Sequence, residues 1–279
     1  MKYEILGPLR VSDEERTASV GAPKVETLLA LLLSRPNQIV AIKLLIDEIW
    51  GEDIPRRATA GIHVYISQAR RFLNGFGGQD EPIVTNSPGY ILRPGSAEID
   101  YQSFERLATR GRDCVRKQRH AEAIIYLENA LALWRGPVLG ELSCGPILSG
   151  FTTWLTELRM ECIETLVDSY LLLGRHRELI GRLYSLIAEY PLREVFYRQL
   201  MIALYRSDRQ ADALNVYQGA RQILHDELGL EPCRKLQEIQ RAILSTDRRL
   251  NQFETVSGTV PETVAGWEQA QLASRVSRA

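Results

Sequence analysis

The stretch that decides the fold is PRRATAGIHVYISQARRFLNG, residues 55–75. It begins at a proline and ends at a glycine, so we predict a helix that closes near Gly75 with a left-handed cap. At about 100° per residue, its apolar residues fall on one arc and its polar residues on the other. The apolar arc is Ala58, Ile62, Tyr65, Ile66, Ala69, Phe72 and Leu73, and the polar arc is Arg56, Arg57, His63, Ser67, Gln68, Arg70, Arg71 and Asn74.

The polar arc carries no negative charge. No carboxylate occurs between Arg56 and Asn74, although the whole chain has 35 acidic and 34 basic residues and a net charge of −1. Overall charge therefore gives no argument for a polyanionic partner, and the indication is confined to this helix. A helix that faces phosphates is expected to have this composition.

Two shorter helices and two β-prone segments flank this helix. PKVETLLALLLSRP from Pro23 and IKLLIDEIWG up to Gly51 are predicted helices, and residues 1–11 are a predicted strand because apolar and polar residues alternate. PIVTNSPGYILRPG predicts a hairpin with its turn at Pro88 and Gly89. This order predicts a winged helix, the helix-turn-helix variant whose hairpin flanks the recognition helix.

The chain is predicted to be helical from a boundary near residues 94–98 onward. RHAEAI from Arg119, RHRELI from Arg175 and RQADAL from Arg209 share one pattern. The last two copies begin 34 residues apart, the period of tetratricopeptide helix pairs, and the first two 56 apart, so we place an insertion in WRGPVLGELSCGPILSG. The fold class is mainly α with a small β component: a winged helix-turn-helix in residues 1–95, an all-α tetratricopeptide-like repeat domain in 99–247 and a disordered tail in 251–279.

Composition excludes several classes of protein. No run of about 18 apolar residues is present and the start has no signal-peptide core, which predicts a cytoplasmic protein. No phosphate-binding glycine loop, nucleophile elbow or HExxH motif occurs, so no enzyme, cofactor or metal site is predicted. His120 and His176 take equivalent repeat positions without further ligands. The cysteines have no metal-ligand spacing and are Cys114, Cys144, Cys162 and Cys233.

The larger apolar residues of the repeat domain are assigned to packing against one another. They are Phe151, Trp154, Leu155, Leu158, Tyr170 and Leu171.

Long motifs in both halves resemble one known family. The N-terminal half contains ILGPL, LLIDEIWG, ISQARRFL and NSPGYIL, and the C-terminal half contains ALALWRGPVLGEL, YLLLGRHREL, YPLRE, ALYRSDRQADALNVYQGARQIL and DELGLEP. Over residues 1–247 these resemble the Streptomyces antibiotic regulatory proteins, which join an OmpR-type winged helix to a bacterial transcriptional activation domain. Larger members carry an ATPase module, and because this sequence has no GxxxxGK loop the resemblance is to the small type.

The resemblance implies binding to direct repeats of promoter DNA near the −35 element, self-association on DNA, and recruitment of RNA polymerase holoenzyme through sigma region 4 and other subunits. Gln68 and Arg70 match family positions that approach DNA. With the polar arc, they complete a set of candidate DNA contacts: Trp50, Arg56, Arg57, Thr59, His63, Ser67, Gln68, Arg70, Arg71 and Asn86.

Several of these candidates have two interpretations. Thr59 either stabilises the helix start or touches DNA, and the Trp50 ring packs between helices while its N–H is free to donate to a phosphate. Gln68 either reads adenine or caps a phosphate. The function predicted is a nucleoid-associated activator of an antibiotic gene cluster; the alternative is a tetratricopeptide scaffold that does not bind specific DNA. Salt dependence separates the two, since phosphate contacts release counterions.

Overall fold

The computed structural model describes residues 1–76, 81–247 and 250. The three predicted N-terminal helices and the hairpin are confirmed, and the tail predicted in residues 251–279 lies outside the described residues. In chain order the elements are β1 (Lys2–Glu4), β2 (Arg10–Ser12), β3 (Thr17–Ala18), α1 (Pro23–Ser34), β4 (Val40–Ala41), α2 (Ile42–Trp50), α3 (Ala58–Asn74), β5 (Ile83–Asn86), β6 (Gly89–Leu92) and β7 (Glu98–Ile99).

Two small sheets hold the N-terminal helices. One sheet has the order β3-β2-β1-β7, with β7 parallel to β1, and the other has the antiparallel order β4-β6-β5. The prediction of one strand over residues 1–11 is wrong, because the chain reverses around Gly7 and Pro8 and forms the antiparallel pair β1 and β2. A Cβ on Gly7 would lie 2.9 Å from the Cβ of Arg135, so glycine permits this close approach.

Two further glycines, Gly89 and Gly75, lie at a strand pairing and at the end of a helix. A Cβ on Gly89 would collide with the backbone of Val40, so the pairing of β6 with β4 requires glycine at this position. The left-handed cap predicted at Gly75 is wrong: Gly75 has a right-handed φ of −57°. Its N–H donates to the carbonyls of Arg71 and Phe72 at 3.3 and 3.2 Å, which continues the helical turn.

The C-terminal half is helical, which confirms the predicted mainly-α class. Its elements are α4 (Asp100–Arg116), α5 (His120–Leu131), α6 (Pro146–Leu172), a 3-10 helix (His176–Leu179), α7 (Ile180–Glu189), α8 (Glu194–Tyr205), α9 (Gln210–Leu228) and α10 (Arg234–Leu244). Each repeated segment begins a helix with an ion pair between its arginine and the acid three residues on. The pairs are Arg119–Glu122 at 3.1 Å, Arg175–Glu178 at 2.6 Å and Arg209–Asp212 at 2.6 Å. Among the described helices, none is long and apolar enough to cross a membrane.

The predicted insertion joins the two halves. Its first part connects α5 to α6 and lies on the N-terminal sheet, where the N–H groups of Arg135 and Leu139 donate to the carbonyls of Leu6 and Ile5 at 2.7 and 3.0 Å. The Asp100 carboxylate accepts the N–H groups of Ile5 and Leu6 at 2.8 and 2.9 Å. Burial raises the pKa of Asp100, and these backbone donors oppose that shift.

A second buried carboxylate makes the opposite connection. Glu48 of α2 is 4% exposed and accepts the N–H groups of Ile147 and Leu148 at 2.9 Å each. These are the second and third residues of α6, so a side chain from the N-terminal half caps a helix of the C-terminal half. The buried apolar residues form one continuous core through both halves.

The packing predictions for α6 are confirmed in part. Leu155, Leu158, Tyr170 and Leu171 are 0–9% exposed. Two aromatic residues differ: Phe151 and Trp154 are only half-buried, and both line a cleft.

Candidate nucleic-acid interface

One face of α3 is open to solvent along its 17 residues, a length of about 25 Å at 1.5 Å per residue. The opposite face is buried, with Ile62 and Leu73 0–1% exposed. The predicted division of this helix into an apolar and a polar arc is confirmed. The exposed residues are Thr59, Ala60, His63, Val64, Ser67, Gln68, Arg71 and Asn74.

Arg70 differs from the other residues of the predicted polar arc because its side chain is partly buried. Its side chain is 26% exposed, and its Nε and Nη2 donate to the Ile83 carbonyl at 3.0 and 2.8 Å. Nη2 also donates to Thr85 Oγ1 at 3.0 Å, and Glu81 lies 3.9 Å from Nε. The guanidinium therefore joins α3 to the wing strand β5, a role that the sequence prediction did not include.

His63 makes a second connection between α3 and the hairpin. Its Nδ1 lies 2.6 Å from the Tyr90 hydroxyl on β6, and the two rings meet edge to face at 6.3 Å between centroids. The imidazole is nevertheless exposed. The contact of Nδ1 with Tyr90 thus fixes the position of an imidazole that is still open to solvent.

Trp50 lies where α2 approaches α3. Its ring stacks on Tyr65 with centroids 5.8 Å apart, and the Lys24 ammonium is 5.0 Å from its centroid. A Cβ on Gly61 would lie 3.2 Å from the Trp50 ring, so the two helices are close at this point. The ring packs between helices, as one of its two predicted interpretations required.

The remaining candidates lie at the two ends of the exposed face. Arg56 and Arg57 are exposed in the segment that leads into α3, and Thr59 is exposed in the first turn, where no side chain caps the helix. Asn86 is exposed at the end of β5, beside the hairpin turn at residues 87 and 88. The structure thus places every predicted residue except Trp50, which ends α2, on α3, at its start or on the adjoining hairpin.

Positive charge on this surface is local. The linker between α2 and α3 begins with exposed Glu52 and Asp53, so the basic character starts only at Arg56. From there to the end of α3 the exposed charged residues are arginines. The field at this face therefore favours an anion along α3 and becomes less favourable toward the start of the linker.

Two residues of this surface were missed by the sequence reasoning. Val64 is 52% exposed between His63 and Ser67, and Lys24 lies over Trp50. An apolar residue within a polar arc was the signal for Val64. Lys24 had no signal, because its position depends on the packing of α1 against α2.

The exposed face of α3 presents side chains that are able to bind nucleic acid. A helix with amide, hydroxyl, imidazole and guanidinium donors on one face, next to a hairpin, matches the donors and acceptors that base edges and phosphates present. Within residues 1–76, 81–247 and 250, no group of three or more His, Cys, Asp or Glu side chains is placed to hold a metal ion.

Comparison with known proteins matches the N-terminal and the C-terminal half of the chain to two different protein families. Residues 99–244 match the family described as bacterial transcriptional activator domain, and residues 19–92 match the one described as transcriptional regulatory protein, C terminal. A solved structure of Mycobacterium tuberculosis EmbR, in complex with low affinity phosphopeptide, superposes with a TM-score of 0.82 and 32% identity over 88% of this chain and 65% of EmbR.

Regulatory protein DnrI of Streptomyces peucetius is 32% identical over 253 residues, which cover 88% of this chain and 93% of DnrI. Transcriptional regulatory protein MoaR1 of Mycobacterium tuberculosis is 34% identical over 88% of this chain and 79% of MoaR1. Regulatory protein AfsR of Streptomyces coelicolor is 37% identical, and this chain spans only about a quarter of it, 27%. With both regions matched in order, the chain belongs to the Streptomyces antibiotic regulatory protein family of transcriptional regulators.

Proposed function

We propose that this protein binds promoter DNA sequence-specifically and activates transcription of a secondary-metabolite, antibiotic-type gene cluster. The observation that carries the proposal is the exposed, carboxylate-free face of α3 beside the β5–β6 hairpin. The major groove of B-DNA, about 12 Å wide, admits one α-helix. In this arrangement α3 enters the major groove and the hairpin lies over the adjacent minor groove.

The exposed residues divide by the DNA groups they suit. Gln68 matches the paired donor and acceptor of adenine, and the Val64 side chain suits a thymine methyl group. Arg56, Arg57 and Arg71 present exposed guanidinium groups to phosphates. His63, Ser67 and Thr59 add donors along the helix, and Asn86 adds one at the wing.

Arg70 and Trp50 are assigned supporting roles. Because the Arg70 guanidinium already bonds to Ile83 and Thr85, it positions the wing relative to α3. Trp50 fixes the spacing of α2 and α3 through its stacking on Tyr65. Both residues then influence DNA affinity through the geometry of the groups that touch DNA.

The helical half supplies the protein contacts. We propose that protomers occupy consecutive direct repeats near the −35 element, associate with one another there, and hold RNA polymerase holoenzyme, including sigma region 4. A weak protein contact added to a DNA contact raises the effective local concentration of polymerase. This role requires no catalysis and places the protein in the cytoplasm, on the nucleoid.

A gel-shift titration on promoter fragments at two salt concentrations, with unrelated DNA as competitor, tests the proposal. Three phosphate contacts per protomer predict a slope of about −3 in a plot of log affinity against log salt. Specific, stepwise shifts that weaken with salt are expected. The absence of any shift at low salt would contradict the proposal and favour a scaffold that binds only proteins.

Matched variants make the test residue-specific. Gln68→Ala is expected to lose about 1–3 kcal/mol of binding free energy on the specific fragment and little on competitor DNA. Gln222→Ala, an exposed glutamine of α9, serves as the control and leaves both affinities unchanged. Equal effects of the two substitutions would contradict the placement of α3 in the groove.

A further inference from the structure

A cleft of about 860 Å³ opens between the two halves of the molecule, away from the exposed face of α3. The end of α1 contributes Ser34 and Arg35, α4 contributes Glu105 and Arg112, and one stripe of α6 forms the longest wall. Its volume lies in the range of about 300–1,000 Å³ typical of small-molecule sites, which occur preferentially at domain interfaces.

The α6 wall begins with an aromatic surface. Phe151 and Trp154 have ring centroids 5.7 Å apart, and Tyr101 packs edge to face against both from behind, at 5.2 and 6.5 Å. Tyr101 is 6% exposed, whereas the other two rings remain half-buried and line the cleft. This leaves aromatic surface that the core of the protein does not cover, backed by a rigid third ring.

Most charged groups of the cleft already neutralise one another. Arg112 pairs with Glu161 at 3.1 Å. Arg193 pairs with Glu164 at 2.7 Å and with Glu157 at 3.1 Å. These three carboxylates of α6 therefore offer little net charge to a bound molecule.

Glu105 is the exception among the acids of the cleft. It is half-buried on α4, and no residue of the described ranges 1–76, 81–247 and 250 forms a hydrogen bond or ion pair with its carboxylate. Burial raises the pKa of Glu105, against the pull of the Arg112 charge. A bound cation would give this half-buried carboxylate the ion pair that it lacks among the described residues.

We propose that this cleft binds a small, flat aromatic molecule that carries a positively charged nitrogen. The rings lie against Phe151 and Trp154, and the cation lies beside Glu105. The lining contains four glutamates against three arginines, so its balance of charge also favours a cation. This site is separate from the proposed DNA-binding surface, and an occupant would touch both halves of the chain.

Two indoles of opposite charge test the class of ligand. Tryptamine and indole-3-acetate share the ring system, and their binding to the full chain without DNA is measured by saturation-transfer NMR and titration calorimetry. Tryptamine is expected to bind at least about tenfold more tightly than indole-3-acetate, and Glu105→Gln is expected to remove that preference. No binding of tryptamine, equal binding of the two indoles, or a preference for indole-3-acetate through Arg35 would overturn the proposal.

A substitution that fills the cleft tests its location. Gly150 lines the cleft on α6, and a Cβ at this position meets no atom within 4 Å. Gly150→Leu is expected to abolish tryptamine binding while the helix keeps or gains stability, because leucine is a better helix former than glycine. Gly219→Leu, at an equally open position on α9, is the control and keeps binding. Unchanged tryptamine affinity in the Gly150 variant would overturn the assignment of the site.

Discussion

Replacing Glu48 by alanine removes the cap that the N-terminal half places on α6. The carboxylate is 4% exposed and accepts two backbone N–H groups, those of Ile147 and Leu148, at 2.9 Å. Alanine leaves both donors without this partner at the interface; Leu148 is fully buried and Ile147 is half-buried. The loss of a helix cap costs about 0.5–2 kcal/mol, and each buried donor left unpaired costs about 1–3 kcal/mol.

An opposing contribution limits the net effect. Burying a carboxylate has its own desolvation cost, which alanine relieves. We therefore expect Glu48→Ala to lower the free energy of unfolding by about 2–3 kcal/mol, toward the lower end of the combined range. Glu48→Gln keeps one carbonyl oxygen as an acceptor, so its loss is expected to be about half as large.

Urea unfolding followed by far-UV circular dichroism measures both variants. Glu52→Ala is the matched control: Glu52 lies four residues further along, is exposed, and its replacement is expected to change the free energy by less than about 0.5 kcal/mol. A loss below about 0.5 kcal/mol in Glu48→Ala, or a loss in Glu48→Gln as large as in Glu48→Ala, would refute the reasoning that two backbone donors depend on this carboxylate.

Three other outcomes are expected. Arg70→Ala is expected to lower the free energy of unfolding by about 1–2 kcal/mol in urea titrations, because it removes the bonds that join α3 to the wing strand. Arg71→Ala is expected to leave stability unchanged and to reduce the salt slope of DNA binding by about 1. The reverse pattern would contradict both roles. Val64→Asn keeps the melting temperature and alters base preference in binding-site selection, and an unaltered preference would remove Val64 from the interface. The pKa values of Tyr3 and Tyr101 are raised by burial from 10.0 to about 12, so their contribution to stability is complete below pH 10 and is lost as pH rises toward 12. In a pH titration, the share of the tyrosinate absorbance that comes from these two residues is expected to appear only with unfolding.

Periodicity predicted what is local in this protein. The bounds and the buried face of α3 follow from the 3.6-residue repeat of apolar residues within one segment. The strands β3, β4 and β7 have two residues each, too few for an alternating pattern to be visible. The pairing of β4 with β6 depends instead on the close approach that Gly89 allows.

Contacts between residues that are far apart in the sequence could not be predicted from local sequence patterns. Arg70 and Arg71 are adjacent residues of one type, and only the position of β5 makes Arg70 a structural link while Arg71 is exposed to solvent. Glu48 is 99 residues from the first N–H group that it accepts, and no pattern in either segment marks the connection. The sequence predicts packing for Phe151 and Trp154 because aromatic residues at helical spacing are usually core. Their exposure depends on how far α1 and α4 stand from α6.

Two buried carboxylates, Glu48 and Asp100, connect the two halves of the chain, one from each half. Glu48 of the N-terminal half binds the start of α6, and Asp100 of the C-terminal half binds the backbone at Ile5 and Leu6. Each carboxylate accepts at least one fully buried backbone N–H group, so neither connection is broken without leaving a buried donor unpaired. The helical half is thereby held in one orientation relative to α3. On the proposed function, the register of α3 on DNA also sets where the helical half presents its protein-binding surface along the promoter.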